Sequence, residues 1–104
     1  MPVAWKAWES RVARLFGGRR RGAQTSREGR GLSDVIEAKG WAIECALLAR
    51  PTFSQLLEKA RQAERAAKPD EMPIAIIKKK HQLDRDALVV MRLETFCDWH
   101  VGDG

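Results

Sequence analysis

No stretch of this 104-residue chain approaches the roughly 18 consecutive apolar positions of a membrane span, although 44% of its residues are apolar. No signal peptide is expected either, because Trp5, Lys6, Trp8 and Glu9 stand where such a segment would be continuously apolar, so an intracellular, cytoplasmic location is expected. Cysteine is scarce. Cys45 and Cys97 are far apart and form no CxxC pair, which argues against a disulfide framework or a zinc knuckle. His81 and His100 are equally isolated and read as surface or packing residues. There is no internal repeat and no low-complexity tail, and the length suits a single domain (1–104) with one core.

What the chain does have is an excess of basic residues, with a net charge of +5. The distribution matters more than the sum. Residues 17–31, GGRRRGAQTSREGRG, carry Arg19, Arg20, Arg21, Arg27 and Arg30 against the single acid Glu28, with five glycines among them. Guanidinium forks match phosphate oxygens, and glycine lets a chain approach a backbone closely; a solvated arm is the plain alternative. A second cluster, Lys78-Lys79-Lys80, tips the reading toward a polyanionic partner.

Apolar residues Trp5, Trp8, Val12, Leu15 and Phe16 recur at helical spacing and predict a helix over residues 3–16, ended by Gly17-Gly18. Glu9 flanks that stripe one turn from Trp5, and its neighbours alone favour an ordinary surface carboxylate. LSDVIEAKGWAIECALL then reads as a β-hairpin. A three-residue loop, Ala38-Lys39-Gly40, places Asp34 directly across from Glu44. It also puts Val35, Trp41, Ile43, Cys45 and Leu47 on one apolar face, with Glu37 awkwardly on that side next to the turn. Residues 51–70 predict a second helix with a Thr52/Gln55 capping box and a buried stripe of Phe53, Leu56, Leu57, Ala60 and Ala63. Strands are expected over 73–80 and 87–93, and a last helical turn over 94–99. The order is α-β-β-α-β-β-α, an α/β (α+β) domain whose single sheet is flanked by helices.

Two carboxylates facing each other across neighbouring strands repel unless a cation lies between them, and hard divalent ions such as Mg²⁺ accept such oxygen ligands. An acid pair amid phosphate-binding Arg and Lys suits phosphodiester hydrolysis.

The course from WESRVARLFGG through GLSDV, WAIEC, ARQAER, PIAIIKKK and ALVVMRLETF resembles the PD-(D/E)xK nuclease superfamily. Within it, the chain is similar to small phage-type Holliday junction resolvase-like endonucleases, over nearly its whole length. The resemblance implies a restriction-endonuclease-like mixed sheet and a Mg²⁺-dependent endonuclease, with Mn²⁺ as a substitute ion. It further implies action on branched DNA such as a four-way junction, as a homodimer. Ser33-Asp34 takes the PD place and Glu44 the (D/E) place, both as metal ligands. Glu9 falls where such resolvases complete the metal site from an N-terminal helix, and Gln62 matches a glutamine near the site. Arg19, Arg20, Arg21, Arg27 and Arg30 would grip phosphates, and Lys78 and Lys80 would track a duplex arm.

The departure is Ala46, a methyl group where the resemblance calls for lysine. Three accounts stay open. One is a deliberate replacement that leaves an impaired nuclease, another a transfer of the lysine's role to Lys59 or Lys39, and the third a non-catalytic DNA-binding module of the same fold.

Overall fold

The computed structural model describes residues 3–21 and 34–102, so Arg27, Arg30, Ser33 and most of the Arg/Gly loop lie outside the described residues. The elements, in order, are α1 (Ala4–Leu15), β1 (Arg19–Arg20), β2 (Val35–Ile36), β3 (Trp41–Leu48), α2 (Phe53–Ala66), β4 (Met72–Lys79), a 3₁₀ turn (Asp84–Asp86), β5 (Leu88–Val90) and α3 (Leu93–His100). Three helices and mixed strands make it an α+β fold. The sequence reading omitted β1 and took the eight-residue α3 for a single turn.

A three-stranded sheet, ordered β3-β4-β5, forms the centre, with β3 and β4 parallel and β4 and β5 antiparallel. The parallel pair needs a crossover, and α2 supplies it. Thr52 and Gln55 start that helix with the expected reciprocal capping box. Alternation along β3 and β4 divides the core. Ile43, Cys45, Ile74 and Ile76 pack with Trp8, Val12 and Ala13 of α1, whereas Ala46, Ala75 and Ile77 pack with Leu56 of α2. Helices therefore cover both faces, and the apolar stripe expected on β3 is the one that meets α1. The stripes expected on the helices are only partly right. Trp5, Leu15 and Phe53 are exposed, and α1 buries Trp8, Val12 and Ala13 while α2 buries Ala60 and Ala63.

The expected hairpin is corrected in its pairing. β2 joins β1 in a separate antiparallel ribbon, Arg19 opposite Ile36 and Arg20 opposite Val35. Between β2 and β3 a tight turn closes through Trp41 N–H to Ala38 O, with Gly40 at φ +86°. Glu37 then adopts φ +65°, which interrupts a regular ladder and turns its side chain out to Arg19 at 3.1 Å. That bend removes the difficulty of an acid on the apolar face. β1 can lie against β2 only because Gly18 has no side chain. A Cβ there would run into the Ile36 carbonyl oxygen and approach Val35 Cγ1 at 2.9 Å. Gly18→Ala is therefore expected to destabilise the fold by about 1–3 kcal/mol in denaturant titration; an unchanged midpoint would mean that the ribbon does not pack this tightly.

Candidate functional site

Glu44 lies in the middle of β3 on the α2 face and is 7% exposed, paired in register with Ala75. Asp34 reaches it without a regular cross-strand ladder. Its backbone N–H donates to Ile43 O at 2.8 Å, and its Oδ2 accepts the Cys45 N–H at 2.8 Å. The side chain thus occupies the free edge of β3, taking the hydrogen-bonding place of a neighbouring strand, and shares a pocket with the Glu44 carboxyl, whose ionisation it opposes. The expected meeting of these two acids holds, by a side-chain bridge and not by the expected hairpin ladder.

An open pocket of about 250 Å³ gathers Glu9 from α1, Asp34 from just before β2, Glu44 and Ala46 from β3, and Lys59 from α2, with Trp5 and Trp8 as apolar wall. Burial is the main cause that pushes the Glu44 carboxyl up to about 8, the Asp34 charge and hydrogen bond adding to it, while the Lys59 charge opposes. Burial likewise raises Glu9, a shift that its hydrogen bond from Arg20 works against. Burial followed by the same acidic surroundings pushes the Cys45 thiol far up, which leaves it an inert packing group.

Around neutral pH the pair therefore holds a proton that a divalent cation could displace. All its donors are oxygens, and one or two carboxylates suffice for Mg²⁺ when substrate phosphate completes the shell. Asp34 and Glu44 fit that requirement. Glu9 faces the same pocket, but its Oε1 is engaged by Arg20 Nε at 2.7 Å, and among the described residues no group of three or more His, Cys, Asp or Glu side chains is placed to hold an ion. A third ligand from Glu9 requires Arg20 to let go.

Protonation of Glu44 has a consequence for stability. The unfolded chain releases this proton near 4.5, the folded chain near 8, so stability from this group is complete at low pH and is lost as pH rises between those values. Allowing for the screened part of the group, metal-free melting temperatures should fall by roughly 5–15 °C from pH 5 to pH 8, on the order of 1–3 kcal/mol. Glu44→Gln, which keeps the donor and removes the charge, should flatten that profile in calorimetry.

Other expected residues fall elsewhere. Gln62 is outside the pocket lining, yet its Oε1 accepts from Lys59 Nζ at 3.3 Å, so it borders the site through Lys59. Arg19 and Arg20 are bound to Glu37 and Glu9, and Arg20 also lies over the Trp5 ring. Lys78, expected to track a duplex arm, is 8% exposed, its Nζ is 2.6 Å from Asp84 Oδ1 and it lies 5.1 Å from the Trp8 ring centre, so its amino group is engaged in the packing. The reason is topological: residues 74, 76 and 78 share the face that α1 covers. Arg11 completes this cluster on Asp84, holding its carboxyl down to about 2. Lys80, in the turn beyond β4, is exposed as expected.

Two features had no signal in the sequence. Trp8 Nε1 donates to Ala46 O at 3.1 Å, pinning β3 beside Glu44. The Arg20–Glu9 pair joins residues 11 apart across a chain reversal that local spacing does not encode. Comparison with protein-family models, with curated proteins and with solved structures gives no match for the chain.

Proposed function

We propose that the pocket is a divalent-metal site for hydrolysis of DNA phosphodiesters, in a structure-selective endonuclease of the Holliday junction resolvase-like kind. The observation that carries this reading is the Asp34–Glu44 pair, a half-buried and a buried carboxyl gathered in one pocket open to solvent. Asp34 and Glu44 would hold Mg²⁺ or Mn²⁺, which when bound neutralises charge on the phosphate and acidifies a water. The chain's own part is to fix those oxygens. Cys45 N–H holds Asp34, Trp8 holds the strand, and the core sets the rotation of β3. Basic residues of the 17–31 segment and Lys80 would bind the phosphate backbone in a salt-dependent way. A homodimer would place two such sites on a two-fold axis, matching the symmetry of a four-way junction.

Melting in EDTA, Mg²⁺ and Mn²⁺ at pH 8, followed by cleavage of a synthetic four-way junction by the chain and by Ala46→Lys, tests the proposal. The ions should raise the melting temperature by mass action, and Ala46→Lys should cut. No stabilisation, with no cutting by either protein, would sink it and leave a non-catalytic DNA-binding module.

A further inference from the structure

Position 46 contributes only a methyl group to the pocket floor, yet the pocket is not without an amino group. Lys59 enters from α2 and lines the same cavity as Glu9, Asp34, Glu44 and Ala46. Its position follows from the helix. The capping box at Thr52 sets where α2 begins, and Ala60 and Ala63, packed inward, fix its rotation, which leaves Lys59 half-buried at the pocket margin. Lys59 and Gln62 are three residues apart and so share a helix face; the 3.3 Å bond from Nζ to Gln62 Oε1 holds the amino group, and Gln62 is in turn bonded to Glu58 at 3.4 Å. The positive charge of Lys59 is felt at Glu9, Glu44 and Cys45.

We infer that Lys59 is the catalytic cation of this site, doing from α2 what a lysine at position 46 would do from β3, with Gln62 as its positioning residue. The inference rests on reading the pocket as a phosphodiester site. In the step, a water oxygen forms a new bond to phosphorus and the bond from phosphorus to one sugar oxygen breaks. The water's proton passes to solvent, and solvent protonates the leaving sugar oxygen. Lys59 donates hydrogen bonds to a non-bridging oxygen and to the attacking water, where negative charge grows as the new bond forms. Ala46 leaves the space that this approach from the side needs.

Two measurements test this. First, cleavage of a four-way junction in Mg²⁺ is compared among the unaltered chain, Lys59→Ala, Lys59→Gln, Asp34→Asn and Lys59→Ala combined with Ala46→Lys. The unaltered chain should cut, both Lys59 variants should be slower by about a hundredfold to a thousandfold, and Ala46→Lys should restore Lys59→Ala. Second, in EDTA and on the unaltered protein, lysine acetylation by an N-hydroxysuccinimide ester is mapped by peptide mass spectrometry with and without the junction. Lys59 should be protected several-fold and Lys68, exposed beyond the end of α2, should not. Cutting by the Lys59 variants at the parent rate, or equal acetylation with and without DNA, overturns the assignment; if Asp34→Asn still abolishes cutting, the metal-site reading survives. Cutting by Ala46→Lys alone also overturns it. Absence of cutting by every protein in Mg²⁺ and Mn²⁺ removes the reading and the inference together.

Discussion

Asp34→Asn is expected to abolish metal-dependent cleavage, in the unaltered chain and in Ala46→Lys alike, while leaving the fold intact and more stable above pH 7. The two effects point in opposite directions because Asp34 does two jobs. As a hydrogen-bond acceptor it caps the Cys45 N–H at the open edge of β3, and an asparagine oxygen can accept the same bond. As a charge it adds to the burial that pushes Glu44 up to about 8, and asparagine removes that addition. The Glu44 carboxyl then ionises closer to its ordinary range, so less stability is lost between pH 5 and pH 8. The same substitution removes one of the two carboxylates that the proposed ion would need. Melting curves in EDTA at pH 5 and pH 8, with cleavage assays in Mg²⁺, separate the two jobs. Loss of cleavage together with a large loss of stability would mean that Asp34 matters to the fold alone.

Trp8→Ala should cost about 3–5 kcal/mol, a large part of the stability of a domain this size, and lower the melting temperature by more than about 15 °C. Trp8 is 1% exposed and among the largest fully buried side chains. Its removal opens a cavity between α1 and the sheet, strips the Ala46 carbonyl of its donor, and takes away the ring beneath Lys78 and Arg11. Trp8→Phe keeps most of the packing and loses only the indole N–H, so it should cost about 1–2 kcal/mol. Because Ala46 O lies two residues from Glu44, Trp8→Phe should also loosen the acid pair, visible as a weaker metal-induced rise in melting temperature. Equal costs for the two variants would show that the hydrogen bond, and not the packing, dominates.

Much of this was legible in the order of residues. Period-3.6 stripes located α1 and α2, Thr52 and Gln55 marked a helix start, and alternation along 41–48 sorted that strand into an α1 face and an α2 face. Such patterns are local, and each residue's side is decided by the geometry of its own element. The nearness of Asp34 and Glu44 was also legible, since only a short turn separates them. The route was not. A hairpin ladder was expected, and the positive φ of Glu37 and the side-chain bridge to Cys45 replaced it, because β2 found its backbone partners on β1.

By itself, then, the sequence determined the helices, the faces of β3 and the pairing of two acids near one turn, all products of short-range periodicity and chain connectivity. Only the tertiary structure decided that Lys78 is a packing residue, that Arg20 holds Glu9, that Trp8 anchors Ala46, and that Lys59 comes from another element to the pocket where position 46 offers only a methyl group. Those outcomes depend on which face of the sheet each helix covers and how far each side chain reaches across it, and long-range packing sets both.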